Sequence, residues 1–299
     1  MRERIVSGIV LVILLVLILL SGGYVLSISL LLVALVASFE MSRAFALRDT
    51  RNRDMDTGGG EAEKLEAHNT ESDKRGINKY SGMEVVGYIG VLIHYGFIIR
   101  SNGDPRYFIG TVILFFFAET LIYVIRFPAY HISRLSDTIF IYLYAPVMLS
   151  FLCLIRDLEF GAWFVWLPFL AWISDTCAYA GGSLFGKHKL CPGLSPNKTV
   201  EGAISGFIGS VIISGIYGCA LSYFTSFNEN VLLACLIIGA ACGVFGQLGD
   251  LLASGIKRDR GIKDYGRLIP GHGGIMDRFD SVIFLTPLVY FLIKLLLKL

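Results

Sequence analysis

The stretch from Ser254 to Asp280, SGIKRDRGIKDYGRLIPGHGGIMDRFD, carries the residue types that chemistry on phosphate groups requires. Lys257, Arg258, Arg260, Lys263 and Arg267 come first, then a proline-glycine turn, His272, Gly273-Gly274 and the carboxylates Asp277 and Asp280. Cations, flexible backbone and spaced carboxylates together suit phosphate oxygens and a divalent metal. A solvated basic loop would account for the charge. It would leave the glycines and the spaced aspartates without a reason.

A second stretch, 175–202, begins with Asp175 inside an apolar run and enters another through Ser195, Lys198, Thr199, Glu201 and Gly202. Ser195 or Thr199 suits a helix cap, and Glu201 suits the positive end of a helix. Lys198 opposes that dipole unless an anion lies between them, and a phosphate would be such an anion. Asp175 and Asp250 sit in apolar surroundings, where a charge costs about 2.5–3.5 kcal/mol on insertion scales, so each needs a partner or a function. Gly239, Gly243 and Gly246 share a helical face with Asp250, and Gly202, Gly206 and Gly209 form a second stripe. Both stripes read as close helix packing, which would carry Asp250 toward the Lys198–Glu201 segment. Asp277 and Asp280, three apart, fall on one face of a last helix, where acidic residues also suit the first turn. Asp250, Asp277 and Asp280 flank a loop with Lys257, Arg258, Lys263 and His272. That coincidence favours Mg²⁺, which takes one or two carboxylates and completes its shell with phosphate oxygens and water.

The elements that must position these residues are membrane spans. With 55% hydrophobic residues and a mean hydropathy of +0.66, the 299-residue chain is not a soluble globule. The pattern predicts an all-α, polytopic integral membrane protein of about nine transmembrane helices, near 5–21, 24–42, 82–99, 107–125, 138–155, 162–182, 200–224, 231–253 and 279–298. The first run reads as an uncleaved helix rather than a signal peptide, because a second span follows at once. Most of the 26 Lys and Arg fall on the side of the N-terminus. A cytoplasmic N-terminus therefore puts the 254–280 loop and the active site on the cytoplasmic side. The organisation expected is N-terminal helices over 1–47, a polar cytoplasmic linker over 48–79, middle helices over 80–160 and a C-terminal catalytic region over 161–299.

The linker is too polar to bury a core, so it reads as mobile. His68, His94 and His131 lack partners at ligand spacing and read as incidental. The six cysteines form no CxxC pair and read as small apolar side chains. Glu119, midway along the fourth span, reads as a structural or interface residue.

Across 254–280 the sequence resembles the phosphatidate cytidylyltransferases, or CDP-diacylglycerol synthases. The signature stands as Ser254, Lys257-Arg258, Lys263-Asp264, Gly266, Pro270, His272-Gly273-Gly274 and Asp277-Arg278. The Ser195–Gly202 segment and the Asp175 helix are similar to the family too, so the motifs cover about the last 130 residues. The resemblance implies an integral membrane enzyme that joins CTP and phosphatidic acid into CDP-diacylglycerol and pyrophosphate for phospholipid biosynthesis. It implies Mg²⁺ on Asp250 and Asp277, with Asp280 nearby and Asp175 at a second cation position or orienting Lys198. Lys198, Lys257 and Arg258 would neutralise phosphates. Glu201, Ser254, Lys263, His272, Gly273, Gly274 and Arg278 would complete the substrate site. Lipid would enter sideways from the inner leaflet of a bacterial plasma membrane. A homodimer is left open, and no nucleic-acid partner is expected. The rivals are a CTP-dependent lipid or polyprenol kinase, and a secondary transporter, which would also place acids within broken spans.

Overall fold

The computed structural model describes residues 2–56, 82–101, 104–225, 230–269 and 273–298. The protein is an all-α polytopic membrane protein with one small hairpin. Its helices are α1 (Arg2–Ser21), α2 (Gly23–Asp56), α3 (Gly82–Ser101), α4 (Pro105–Ile125) and α5 (Ile132–Asp157). There follow α6 (Gly161–Phe164), α7 (Leu170–Phe185), α8 (Val200–Phe224), α9 (Val231–Asp259) and α10 (Met276–Leu297). Strands β1 (Lys189–Cys191) and β2 (Ser195–Thr199) pair antiparallel between α7 and α8.

Among the described residues, seven helices are long and apolar enough to cross a membrane, not nine. The described apolar part of α1, Gly8–Ser21, is shorter than the rest. The expected sixth span is broken: α6 is one turn, Leu167–Phe169 is a 3-10 turn containing Pro168, and α7 starts only at Leu170. Hydropathy reads that run as continuous because it does not register the amide hydrogen that Pro168 lacks. In α5 the same deficit is absorbed by a π-helical stretch, Leu143–Val147, around Pro146. The expected linker also begins later, since α2 stays helical to Asp56. His68 and the remainder of that segment from 57 onward lie outside the described residues.

His94 is not incidental. Fully buried, it joins three helices, with Nδ1 2.7 Å from Thr111 Oγ1 on α4 and Nε2 3.0 Å from Ser150 Oγ on α5. Such polar bolts hold helices together where lipid offers no hydrophobic drive. Glu119 is fully buried as well, and among the described residues neither carboxylate oxygen has a hydrogen-bond partner.

Both glycine stripes serve close helix packing as expected, each against its own neighbours, and Asp250 does reach Lys198. A side chain at Gly202 or Gly206 would run into the carbonyls of Ala178 and Ser174, and one at Gly209 into Cys177, so the α8 stripe faces α7. Gly239 and Gly243 face Ser214 and Phe207 of α8, while Gly246 faces Ala171 and Leu285. Ser210 and Ser214 strengthen the α8–α9 seam by donating to the carbonyls of Gly239 and Cys235. With α7 and α9 both packed on α8 and touching each other, the three helices bring Asp175, Lys198 and Asp250 together, and α10 closes against α9.

Candidate functional site

Asp175 comes from α7, Lys198 from β2, Asp250 and Lys257 from α9, and Asp277, Arg278 and Asp280 from the first turns of α10. Thr199 caps α8, its Oγ1 accepting from the Gly202 amide at 3.2 Å, which leaves Ser195 in the hairpin. That cap fixes the preceding residue, and Lys198 Nζ forms an ion pair with Asp250. Each side chain of this pair is about a quarter exposed (25% and 26%), although the Lys198 ammonium nitrogen itself is buried against Asp250.

A second pair is buried. Lys257 Nζ lies 2.9 Å from Asp277 Oδ1, with side-chain exposures of 13% and 3%. The other oxygen, Asp277 Oδ2, accepts from the backbone amides of Tyr265 at 2.9 Å and Gly274 at 3.0 Å. Gly273 turns the chain beneath it with φ +83°, a conformation that suits glycine. The Ile269 amide donates to the Gly273 carbonyl and closes the turn. Tyr265 also donates through its hydroxyl to the Ala253 carbonyl, and burial pushes its phenol up, so it stays neutral. Asp277 is thus the hub on which the loop between α9 and α10 is folded.

Sequence reasoning missed Glu40. This α2 carboxylate accepts from the amides of Ile275 at 3.1 Å and Met276 at 2.8 Å. These are among the amides that the start of α10 leaves without an intrahelical acceptor. Gly266 and Gly274 are pressed against the same carboxylate, leaving no room for a side chain at either position. The available signal was an acid in an apolar run, the criterion that singled out Asp175 and Asp250. Arg260 supplies further ties, to α2 at 3.7 Å from the ring centre of Phe45 and to α5 at 3.4 Å from Asp137.

Two cavities open here and meet at Asp175 and Asp250, which line both. The first, about 410 Å³, also takes in Asn197, Lys198, Thr199 and Gln247. The second, about 500 Å³, takes in Lys257, Asp264, Asp277, Arg278 and Asp280 on one side and apolar residues of α1 on the other. Asp250 and Asp277 therefore face a common space. Asp250 is also near enough to Asp175 and Asp280 for their charges to repel. Asp280 is buried, and its Oδ1 accepts from the Ser281 amide at 2.8 Å.

Other predicted residues fall elsewhere. Glu201 accepts from the Lys187 amide (3.0 Å), the His188 amide (3.2 Å) and His188 Nδ1 (2.6 Å), so it anchors the hairpin and does not line either cavity. Arg258 and Lys263 are exposed and, like Ser254, are absent from both linings. Gly273 and Gly274 support Asp277, and His272 lies outside the described residues.

The donor set suits a hard cation, since five carboxylates line one cavity. Among the described residues no three His, Cys, Asp or Glu side chains stand close enough to hold an ion by themselves. One or two carboxylates are enough for Mg²⁺ when phosphate oxygens and water complete the shell.

Residues 70–296 match the cytidylyltransferase family. The phosphatidate cytidylyltransferase of Staphylococcus haemolyticus is 49% identical over 134 residues, covering 44% of this chain and 50% of that protein. Those of Staphylococcus saprophyticus and Staphylococcus aureus (strain COL) are 47% and 46% identical over 150 residues, covering 50% of this chain and 56% of each relative. The chain spans about half the length of the curated relatives it matches.

Proposed function

This chain belongs to the cytidylyltransferase family, and from that premise we propose that it joins CTP to phosphatidic acid, giving CDP-diacylglycerol and pyrophosphate. The observation that carries this reading is the pair of cavities sharing Asp175 and Asp250, each with a lysine of its own. Two anionic substrates that must meet at one phosphorus atom require such an arrangement. The first cavity suits CTP, with Lys198 against the triphosphate at the positive end of α8. The second suits the lipid phosphate, with Lys257 and Arg278 as its cations and an apolar flank for the rest of the molecule.

In the reaction an oxygen of the lipid phosphate attacks the α-phosphorus of CTP. The new P–O bond forms as the bond from the α-phosphorus to the bridging oxygen breaks, and pyrophosphate leaves with that oxygen. Both reactants are anions, so the protein's task is alignment and charge neutralisation, without a side-chain nucleophile. Asp250 and Asp277 would hold Mg²⁺, with Asp280 alongside and Asp175 at a second cation position. Bound there, the ion would neutralise phosphate charge and align the phosphates of the two substrates. Lys198 and Lys257 balance these carboxylates and lie within reach of arriving phosphate oxygens. The segregation of Lys and Arg supports a cytoplasmic site, and the bacterial relatives support the plasma membrane as its location.

Purified protein given phosphatidic acid, Mg²⁺ and CTP should place a cytidine label in the lipid fraction and the γ-phosphate label in pyrophosphate. Transfer of the γ-label to lipid would mean a kinase. Accumulation of a solute in sealed vesicles without nucleotide would mean a transporter.

A further inference from the structure

The apolar flank of the second cavity comes from one helix. Gly8, Leu11, Val12 and Leu15 line it, at steps of three, one and three, so they form a single stripe on α1. Ile9, Val10, Ile13 and Leu14 on the other sides of the same turns are more than half exposed, and Val12 at the edge of the stripe is half exposed too, whereas Leu11 and Leu15 are partly buried. Further along, Leu19 is buried and Ile18 packs on the core. The helix is therefore seated at its end, while its earlier turns stand between the bilayer and the cavity. Opposite the stripe are Trp172 and Phe279, packed edge to face with ring centres 6.1 Å apart. The Trp172 indole nitrogen donates to the Arg278 carbonyl at 3.1 Å, fixing this aromatic wall to α10.

A nucleotide has no use for an aliphatic wall of this kind, whereas a diacyl lipid does. We propose that the Gly8–Leu11–Val12–Leu15 stripe of α1 is the acyl-contact wall of the lipid site and sets which chain lengths are accepted. This assignment rests on phosphatidic acid being the substrate. Charge complementarity identifies the occupant, since Lys257 and Arg278 in the same cavity take an anionic headgroup while α1 takes hydrocarbon. About 500 Å³ is the size of a site for one small ligand. It accommodates phosphate, glycerol and the upper methylenes, and the remainder of the chains lies along α1 in the bilayer. Gly8 and Leu11 then govern how close a chain approaches the headgroup.

The test compares Leu11→Trp, which narrows the cavity, with Ile13→Trp, which makes the same change on the bilayer side. Each is assayed in mixed micelles with dioleoyl- and dioctanoyl-phosphatidic acid. Leu11→Trp should lower kcat/KM for the dioleoyl lipid roughly tenfold more than for the dioctanoyl lipid, the scale of discrimination an altered apolar pocket gives. Its KM for CTP should not change, and Ile13→Trp should match wild type on both lipids. Equal losses on both lipids, no change at Leu11, or the same pattern in Ile13→Trp would each overturn the assignment. A phosphatidic acid with a diazirine on its acyl chain gives a readout independent of turnover. Label on the α1 peptide, competed by unlabelled phosphatidic acid, supports the wall even if the reaction proves to be another, and label elsewhere only overturns it. Absence of CDP-lipid from wild-type protein with α1 still labelled would sink the proposed reaction and leave the lipid site standing.

Discussion

The two lysine–aspartate pairs use the same residue types in different states of attachment. Lys257–Asp277 is buried, and both oxygens of Asp277 are already engaged, one by the lysine and one by two loop amides. Lys198–Asp250 is about a quarter exposed and joins a two-stranded hairpin to the wall shared by both cavities. Burial and multiple amide donors make an aspartate part of the scaffold. A carboxylate held through a lysine side chain that lines an open cavity is one whose partner a substrate phosphate can take over. Asp277 therefore also holds the loop together, whereas Asp250, held by one partly exposed lysine side chain, is the carboxylate on which the proposed reaction would draw with less cost to the fold.

The largest combined effect should come from Asp277→Asn. The amide keeps an acceptor oxygen for the Tyr265 and Gly274 amides but presents no charge to Lys257. Leaving a buried lysine unpaired costs about 3–5 kcal/mol. We expect turnover to vanish and thermal unfolding in detergent to begin many degrees earlier. Wild-type stability in this variant would dissolve the distinction between the two pairs.

Asp250→Asn should separate the two properties. The Lys198 side chain lines the first cavity and is a quarter exposed, so once its partner is neutral its ammonium can turn toward that opening. The unfolding temperature should then fall less than in Asp277→Asn while kcat falls roughly a hundredfold, the scale of losing one electrostatic contact to the transition state. Retained activity would remove Asp250 from the site. An unfolding temperature lowered as far as in Asp277→Asn would show that both pairs are scaffold.

Much of this was legible in the chain. Hydropathy located the helical runs, because a bilayer demands long apolar segments whatever they pack against. Acids in apolar runs located Asp175 and Asp250, because an uncompensated charge there is expensive. What sequence could not convey was which partner each polar residue meets. Glu201, which the resemblance places among the substrate residues, holds Lys187 and His188, a pairing that depends on a hairpin of short strands with little pattern of their own. The α8 glycines promised a close neighbour without saying that it was α7. His94 found its partners on two other helices, and Pro168 ended a helix inside an unbroken apolar run.

Glu40 sharpens the comparison with the smallest of the three effects. It stands in α2, far from the C-terminal motifs in sequence, yet it caps the helix that carries Asp277 and Asp280. Glu40→Ala strips the acceptor from two amides and leaves a gap against Gly266 and Gly274. A lost helix cap costs typically about 1 kcal/mol, so the unfolding temperature should drop by a few degrees. Catalysis should fall only severalfold, because α10 still forms and Lys257 still holds Asp277. Glu40→Gln retains one acceptor oxygen and should recover part of both losses, an order that a nonspecific packing defect would not produce. KM for CTP should stay put in both variants, since the first cavity draws no wall from α2 or α10. If Glu40→Ala abolishes turnover at unchanged stability, Glu40 belongs with Asp250 among the working carboxylates. If neither property moves, the scaffold around Asp277 does not depend on its N-terminal tie.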